Sequence, residues 1–304
     1  MFYETKTTSG ETGNYVNRIW VAKWDYETTI REVMPSTNVC ILIQLDNNTK
    51  YKAIDKEFLK NTPIEFNDWY KRVTDEAISI SNYIIIGPHR DLILEISQNN
   101  TYTIGIEFKT GHSNNFFGIP MKSLSNNILP LDSANDLLCG IVKNINTENN
   151  ETIFSSIQEY LETNVLNSSY TNIIDQKLWE CIKTIENNPF YQKVNELSEK
   201  YSTSKRNFNR KMNEHTGLSA QQFIMTQKIN KIKTIMVENL DFSLNQIIEL
   251  CHYLDQSHLN RDTKLIGGLT ATTIYQNLHD RISYMPSPLA MNLMEGKYCG
   301  LHLH

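Results

Sequence analysis

Two stretches in the carboxy-terminal half of the sequence follow one plan: a short apolar helix, a polar turn and a second helix. In the first stretch, residues 192–224, apolar residues recur at helical spacing on both sides of the polar residues 202–204. Ser204 can cap the second helix, because its hydroxyl can accept a hydrogen bond from an early backbone N–H. In the second stretch the apolar helix follows Ser243, and the next helix begins near Asp255. The pattern predicts two helix-turn-helix units.

A long helix is predicted between the two units, over residues 218–240. It follows Gly217, a residue type that commonly ends helices. Five apolar residues of this stretch share one side of a helix: Phe223, Ile229, Ile232, Ile235 and Met236. The helix would therefore space the two units.

The second helix of the first unit gathers positive charge in a chain whose formal net charge is −5. Phe208 and Met212 lie four residues apart and predict a buried stripe. The opposite face carries Lys205, Arg206, Asn209 and Arg210. Lys and Arg bind phosphates, Arg also reads guanine, and Asn pairs with adenine. This face fits a recognition helix in the major groove, although for one helix alone a merely solvated charged face is the alternative.

The corresponding helix of the second unit presents a similar set of polar residues. Over both units, the residues predicted to contact DNA are Ser204, Lys205, Arg206, Asn209, Arg210, Gln256, Ser257, Asn260 and Arg261. The distribution of charge along the chain is consistent with DNA contacts in the carboxy-terminal part. Residues 1–169 hold 14 Lys and Arg against 21 Asp and Glu, whereas residues 170–281 hold 14 against 12. This asymmetry indicates that a polyanion binds the carboxy-terminal part.

The amino-terminal half is predicted to be mainly β. Short β-branched or aromatic runs separated by turn residues cover residues 15–24, 38–45, 82–87, 91–96 and 102–108. Helices are expected after about residue 113. The fold class is therefore α+β, with a sheet-like or barrel-like first domain and an all-α second domain. We predict a sensor or dimerisation domain at 1–169, a DNA-binding domain at 170–281 and a loosely ordered tail at 282–304.

The carboxy-terminal half resembles the tandem helix-turn-helix domain of AraC/XylS-family transcription regulators over roughly residues 175–281. The first unit matches through Ser204, Arg206, Phe208, Arg210 and HTGLS at 215–219. The second unit matches through Tyr253, DQSHLNR at 255–261, Lys264 and Gly268-Leu269-Thr270. The resemblance implies two recognition helices that enter successive major grooves of one duplex.

The sequence departs from this family pattern at several positions. His252 stands where glycine is usual, and alanines 220 and 271 replace prolines. Thr263 replaces an aromatic residue, which would anchor the second recognition helix less firmly, and Asp262 adds negative charge near the predicted DNA face. The first unit is therefore expected to carry more of the affinity than the second.

The amino-terminal half resembles the first domain of a less characterised branch of AraC-type regulators. The matching residues are Gly87-Pro88, Gly105, Phe108, Gly111, Gly118 and Pro120. The resemblance implies a sensor or dimerisation domain. Four aromatic residues could line an effector pocket there, although core positions are the commoner place for such residues: Trp20, Trp24, Trp69 and Tyr70.

Together these features predict a cytoplasmic, sequence-specific DNA-binding transcription regulator, not an enzyme. Double-stranded DNA is the expected partner, RNA polymerase and a small-molecule effector are further candidates, and a homodimer stays open. No membrane segment, cofactor or metal is expected, because His89 and His112 lack metal-ligand spacing. Two alternatives remain: a regulator that acts through protein partners with a degenerate second unit, and an enzyme built on the amino-terminal sheet.

Overall fold

A computed structural model describes residues 2–10, 12–24, 28–33, 35–45, 49–54, 75–98, 101–111, 117–134, 136–166, 175–267, 270–276 and 301–303. The amino-terminal part holds two antiparallel sheets. The first has the strand order β1-β2-β8-β4-β6-β9, and the second has the order β10-β3-β7-β5. The strands are β1 (Phe2–Thr7), β2 (Val16–Trp24), β3 (Thr28–Val33), β4 (Val39–Gln44), β5 (Thr49–Ile54), β6 (Tyr83–Ile86), β7 (Leu92–Gln98), β8 (Thr101–Phe108), β9 (Ile128–Pro130) and β10 (Leu301–Leu303).

Helices lie between and after the strands. The helices of the first part are α1 (Thr12–Tyr15), α2 (Met121–Leu124), α3 (Asp136–Asn144) and α4 (Asn150–Tyr160), and a π-helical segment covers Leu161–Leu166. The helices of the second part are α5 (Gln176–Asn187), α6 (Val194–Lys200), α7 (Lys205–Thr216), α8 (Ala220–Glu238), α9 (Leu244–Leu250) and α10 (Gln256–Gly267). Residues 271–276 form a further helical segment. The α+β fold class is thereby confirmed.

The first sheet is buried on both faces because its central strands alternate two apolar sets. Ile19, Ile41 and Ile106 belong to a core cluster that also contains residues of α3 and α4. Trp20 and Leu42 point the other way, into a cluster that includes Tyr51 and Ile93 of the second sheet. The helices therefore cover one face of the first sheet, and the second sheet covers the other.

The second sheet in turn packs on the helical part. Leu94 and Ile96 of β7 are buried in the same cluster as Ile232 and Met236 of α8 and Ile247 of α9. Since residues 93–96 are all buried, β7 is covered on both faces. The two parts of the chain thus share apolar surface, and the core of the second helix-turn-helix unit is continuous with the outer face of the second sheet.

The predicted strands at 15–24, 38–45, 82–87, 91–96 and 102–108 correspond to β2, β4, β6, β7 and β8. The structure adds strands that the sequence did not indicate, among them β1 and β5, whose polar residues hide their alternation. The tail predicted to be loosely ordered contains β10, which pairs antiparallel with β3. The predicted boundary between residues 169 and 170 falls at 167–174, outside the described residues.

Candidate nucleic-acid interface

The first helix-turn-helix unit consists of α6, a turn and α7. Ser204 caps α7, since its Oγ accepts a hydrogen bond from the backbone N–H of Asn207 at 3.2 Å. Phe208 and Met212 are fully buried, as their spacing predicts. Gly217 ends the helix in the left-handed conformation, with φ of 73°. The helix is therefore fixed at both ends, and its apolar stripe faces the core.

Cationic side chains stand on the exposed side of α7. Lys205 and Arg206 are exposed at its start, and no side-chain contact with another described residue is recorded for either. Arg210 is also exposed, but its guanidinium donates to Asn207 Oδ1 at 2.8 Å and pairs with Glu214 one turn further on. Arg206 is thus available for another partner, whereas Arg210 must first leave Asn207 and Glu214.

Two asparagines predicted to contact DNA have hydrogen-bond partners within the protein. Asn209 Oδ1 accepts from the backbone N–H of Ala220 at 3.1 Å, and its Nδ2 donates to Lys205 O. Asn260 does the same in the second unit, where its Oδ1 accepts from the N–H of Thr272 at 3.0 Å. Each asparagine therefore joins its recognition helix to the first turn of the helix that follows.

The second unit repeats this architecture with α9 and α10. Asp255 caps α10 by accepting from the N–H of His258 at 2.7 Å. Ser257 and Arg261 are exposed, and no contact with another described residue is recorded for them. Gln256 is exposed as well, yet its Nε2 donates to Thr272 Oγ1 at 2.8 Å. The outward face of α10 thus offers the cations Arg261 and Lys264, against Lys205, Arg206 and Arg210 on α7.

The departures from the family pattern are accommodated locally. Thr263 is fully buried, and its hydroxyl donates to the carbonyl of Leu259 at 3.1 Å, so this hydroxyl is satisfied. Asp262 accepts from the Tyr253 hydroxyl at 3.2 Å, which directs its charge toward the turn. Burial, followed by the nearby Asp262 carboxylate, raises the pKa of Tyr253. His252 adopts a positive φ of 57°, a conformation that favours the glycine it replaces.

Two ionisable side chains at the first unit, Asp175 and His215, have lowered pKa values. Asp175 caps α5, and its other carboxylate oxygen accepts from the Tyr201 hydroxyl at 2.9 Å. This hydrogen bond lowers the pKa of Asp175, while burial raises the pKa of Tyr201 to about 12. His215 lies in the last turn of α7, where burial and then the charge of Lys211 lower its pKa. The lowered pKa values favour the ionised form of Asp175 and the neutral form of His215.

The interior between the two sheets holds polar groups that the sequence did not single out. Glu95 is buried on β7, directly opposite Tyr51 on β5, and the Gln44 amide donates to the Tyr51 hydroxyl. Thr103 is fully buried, and its Oγ1 has no hydrogen-bond partner among the described residues. A buried hydroxyl without a partner is costly, which marks this interior as a place where a further polar group could bind.

Of the four aromatic side chains predicted to line a pocket, the structure describes only that of Trp20. Trp20 is 3% exposed and lies against Gly105, where a Cβ atom would come within 2.0 Å of its ring. Gly105 therefore makes room for this tryptophan in the core. Trp24 ends β2, but its side chain is outside the described residues, as are Trp69 and Tyr70.

Neither a metal-binding cluster nor a membrane-spanning helix occurs among the described residues. His89 is buried, with Nδ1 2.8 Å from the Gly87 carbonyl, and His112 lies outside those ranges. Among the described residues no group of three metal-ligating side chains occurs. No described helix is long and apolar enough to cross a membrane.

Comparison with known proteins identifies both parts of the chain. Residues 11–130 match a domain family of unknown function, DUF6597, and residues 197–277 match a helix-turn-helix domain family. No curated protein matches. Similar solved structures include ToxT from Vibrio cholerae in a P21 crystal form, with a TM-score of 0.44, 10% identity and coverage of 90% of this chain and 98% of that one.

A second similar structure is wild-type ToxT of Vibrio cholerae strain SCE256 bound to an unsaturated fatty acid. Its TM-score is 0.43 at 9% identity, and the match covers 84% of this chain and 94% of that one. The helix-turn-helix family matched at residues 197–277 is of the AraC type. Residues 197–277 accordingly form an AraC-type helix-turn-helix domain, the DNA-binding kind found in transcription regulators, and a domain of unknown function precedes it.

Proposed function

We propose that the chain reads specific duplex DNA through the exposed faces of α7 and α10. The observation that carries this proposal is the pair Lys205 and Arg206, exposed at the start of α7 while Phe208 and Met212 fill the core. Residues near the start of a recognition helix are those that meet base edges in the major groove. The proposed DNA-contacting residues are Lys205, Arg206, Arg210, Gln256, Ser257 and Arg261.

The contacts of these residues divide their roles. Arg206 reads a base, because its guanidinium is uncommitted and can form two parallel hydrogen bonds with guanine. Lys205 binds phosphate as a point charge. Asn209, Asn260 and the capping hydroxyl of Ser204 hold the fold rather than the DNA.

The two units suit neighbouring major grooves. Helix α8 has 19 residues and is therefore about 28 Å long. One turn of B-DNA measures about 34 Å, so a helix of this length sets a separation close to that of successive grooves. One chain would thus occupy two half-sites without needing a partner copy, and a homodimer would double the operator.

The sheet domain is the proposed site of control by a small-molecule effector. The interior between the sheets combines an aromatic wall, formed by Trp20 and Tyr51, with the buried polar residues Gln44, Glu95 and Thr103. Apolar surroundings with a few fixed polar groups are typical of sites for small organic ligands. An effector that accepts a hydrogen bond from Thr103 would satisfy a group that the described residues leave unpaired.

Fluorescence anisotropy of the full-length protein with its own upstream intergenic duplex tests the DNA-binding proposal. A scrambled duplex of the same composition is the control. We expect tighter binding to the native duplex at the same salt concentration. Equal affinity for both duplexes would contradict sequence-specific recognition.

A role in contacting other proteins, RNA polymerase among them, is a second candidate. Leu254 is 90% exposed in the turn before α10, and Leu250 one helical turn earlier is also exposed. Exposed leucines this close together are typical of protein contacts. Leu254→Ser should then leave operator binding intact while lowering transcription by purified polymerase, and unchanged transcription would exclude a contact through Leu254. We further propose that the chain acts in the cytoplasm and has no catalytic activity.

A further inference from the structure

One hydrogen bond joins the sheet domain to the helix that connects the two DNA-binding units. Gln227 on α8 donates from Nε2 to Oγ1 of Thr37, which precedes β4, at 2.7 Å. Thr37 is buried and Gln227 is half-buried. Because the bond is sheltered from water, it is a more specific contact than an exposed polar pair.

Thr37 is itself the end of a chain of hydrogen bonds inside the sheet domain. The Thr110 hydroxyl lies 3.2 Å from Thr37 Oγ1 and 2.7 Å from Asn38 Oδ1. Asn38 in turn donates from Nδ2 to Glu107 Oε1 at 2.7 Å. Each link shares a residue with the next, so a shift at Glu107 can reach Thr37 through contiguous hydrogen bonds.

The far end of this chain is a largely buried ion pair. Arg18 on β2 faces Glu107 on β8 directly, and its Nη2 lies 2.7 Å from Glu107 Oε2. Asn17 also donates to this carboxylate, at 2.9 Å. A carboxylate buried to this extent depends on all its donors, because an uncompensated charge there is strongly destabilising. If Arg18 moves, the remaining donors around Glu107 must therefore rearrange.

The chain contacts the sheet domain on either side of Gln227. Before α8, at the end of α7, the backbone carbonyl of Met121 on α2 lies so close to Gly217 that a Cβ atom there would be 2.7 Å away. After Gln227, Leu94 and Ile96 pack in one cluster with Ile232. The hydrogen bond thus lies between two interdomain contacts, at a point where it can set how α8 is oriented against the sheets.

We propose that the Thr37–Gln227 hydrogen bond is a regulatory contact that couples the Arg18–Glu107 ion pair to DNA affinity. It holds α8 in the orientation that places both recognition helices at the spacing of two half-sites. A change at the ion pair, transmitted through Asn38 and Thr110, loosens α8 and weakens binding to a two-site duplex. Binding of either unit to a single half-site is unaffected. The proposal rests on the DNA-binding function proposed above.

A double-mutant cycle in the full-length protein tests the contact. Gln227→Ala and Thr37→Val each remove one partner of the hydrogen bond with little change of backbone. Each should weaken binding to the two-site duplex by roughly threefold to tenfold, the range of one lost hydrogen bond. The double variant should be no weaker than either single variant, because the same bond is lost. Additive effects, or affinities equal to wild type, would overturn the proposal.

Gln221→Ala is the matched control, since Gln221 is an exposed glutamine on the same helix for which no contact with another described residue is recorded. It should bind DNA as wild type does. Arg18→Lys tests the link to the ion pair: it keeps the charge but loses the two-pronged geometry. We expect the same loss of two-site affinity, with no added effect of Gln227→Ala. If Arg18→Lys lowers only the melting temperature, the ion pair is not coupled to DNA binding.

Hydrogen exchange without DNA separates this proposal from the DNA-binding one. Gln227→Ala and Arg18→Lys should both raise the exchange of α8 backbone amides, and Gln221→Ala should not. Wild-type protein that prefers no duplex would contradict the proposed function, while raised exchange would still support the contact. Unchanged exchange in both variants would overturn the contact, whatever the DNA result.

Discussion

At the scale of single residues, the asparagines show how a polar side chain on a recognition helix can serve the fold. Asn209 and Asn260 use the same carbonyl oxygen to accept from the helix that follows each recognition helix. The amide nitrogens are engaged too, with Lys205 O and Thr272 Oγ1. These contacts set the angle between helices, which decides where the neighbouring cations point.

Replacing Asn209 tests this role. Asn209→Ala leaves the Ala220 N–H without its acceptor, and we expect the free energy of unfolding to fall by about 1–2 kcal/mol. Asn209→Asp keeps an acceptor oxygen and should lose less. Urea unfolding of the full-length protein measures both. A larger loss for aspartate than for alanine would show that the accepted hydrogen bond does not matter.

Arg206 and Arg210 are expected to differ in their effect on DNA binding. Arg206→Ala should weaken operator binding by about 1–3 kcal/mol and reduce the preference for the native duplex, because an arginine that reads guanine is lost. Arg210→Ala should cost less, since its ion pair with Glu214 must be broken before it binds DNA. Anisotropy titrations measure both, and Lys177→Ala, an exposed cation on α5, is the control for charge. The reverse order of the two losses would assign base reading to Arg210.

At the scale of elements, α7 is shaped by the residue that ends it. Gly217 has a positive φ, and a Cβ atom there would also meet the carbonyl of Met121. Gly10 has a similar φ of 64°, but its nearest neighbour would be 3.9 Å away. The two glycines thus share a backbone conformation and differ in the space around them.

This difference gives a paired prediction. Gly10→Ala should lower the free energy of unfolding by about 1 kcal/mol, the cost of a left-handed non-glycine residue. Gly217→Ala should cost more, because α2 must also move. Equal losses in urea unfolding would mean that α2 yields to the added methyl group without cost.

The end of α7 also makes stability depend on pH. Burial lowers the pKa of His215, so the unfolded chain binds a proton more readily than the folded one. The stabilisation is complete above the unfolded pKa of about 6.5 and is lost as the pH falls below it. His215→Gln cannot titrate, so its urea midpoint should fall less than that of the wild type between pH 7.5 and 5.5. Parallel falls would exclude His215 as the cause.

Elements whose apolar residues recur at a clear period could be predicted from the sequence. Elements without such a period could not. The helices α7 and α8 follow from Phe208, Met212 and their caps, whose signals are local. Strand β5 was missed, although Thr49 and Tyr51 are buried and alternate with lysines, because lysine-rich edge strands look like loops. The structural role of Asn209 had a signal in the repeat itself, since Asn260 recurs at the same place in the second unit.

At the scale of the whole molecule, the uneven charge of the two units predicts how binding depends on salt. The side chains of Lys205 and Arg261 are exposed cations with no recorded partner in the described part of the chain. If each neutralises one phosphate, a fourfold rise in salt should weaken binding roughly 12-fold. Titrations at 50 and 200 mM salt measure the slope, and Lys205→Ala should reduce it by about one phosphate. Binding that ignores salt would contradict a phosphate-based interface.

The contacts between the two parts of the chain were beyond the reach of sequence patterns. The run Leu92–Ile96 reads as a buried strand, but the alternation does not reveal that Leu94 and Ile96 meet α8 rather than another strand. Nor does it show that Gln227, one polar residue among several on α8, is the one that finds Thr37. Such pairings depend on residues far apart in the chain, which a local pattern does not record.

The apolar surface shared between β7 and α8 makes it costly to separate the sheet domain from the helical half of the protein. A fragment that begins near residue 175 would expose to water the sides of Ile232 and Met236 that Leu94 and Ile96 now cover. Grafting the DNA-binding half onto another sensor would require a strand with matching apolar residues at that place. The two halves are therefore fitted to each other at this contact, and neither can be exchanged for a domain of another protein without matching apolar residues there.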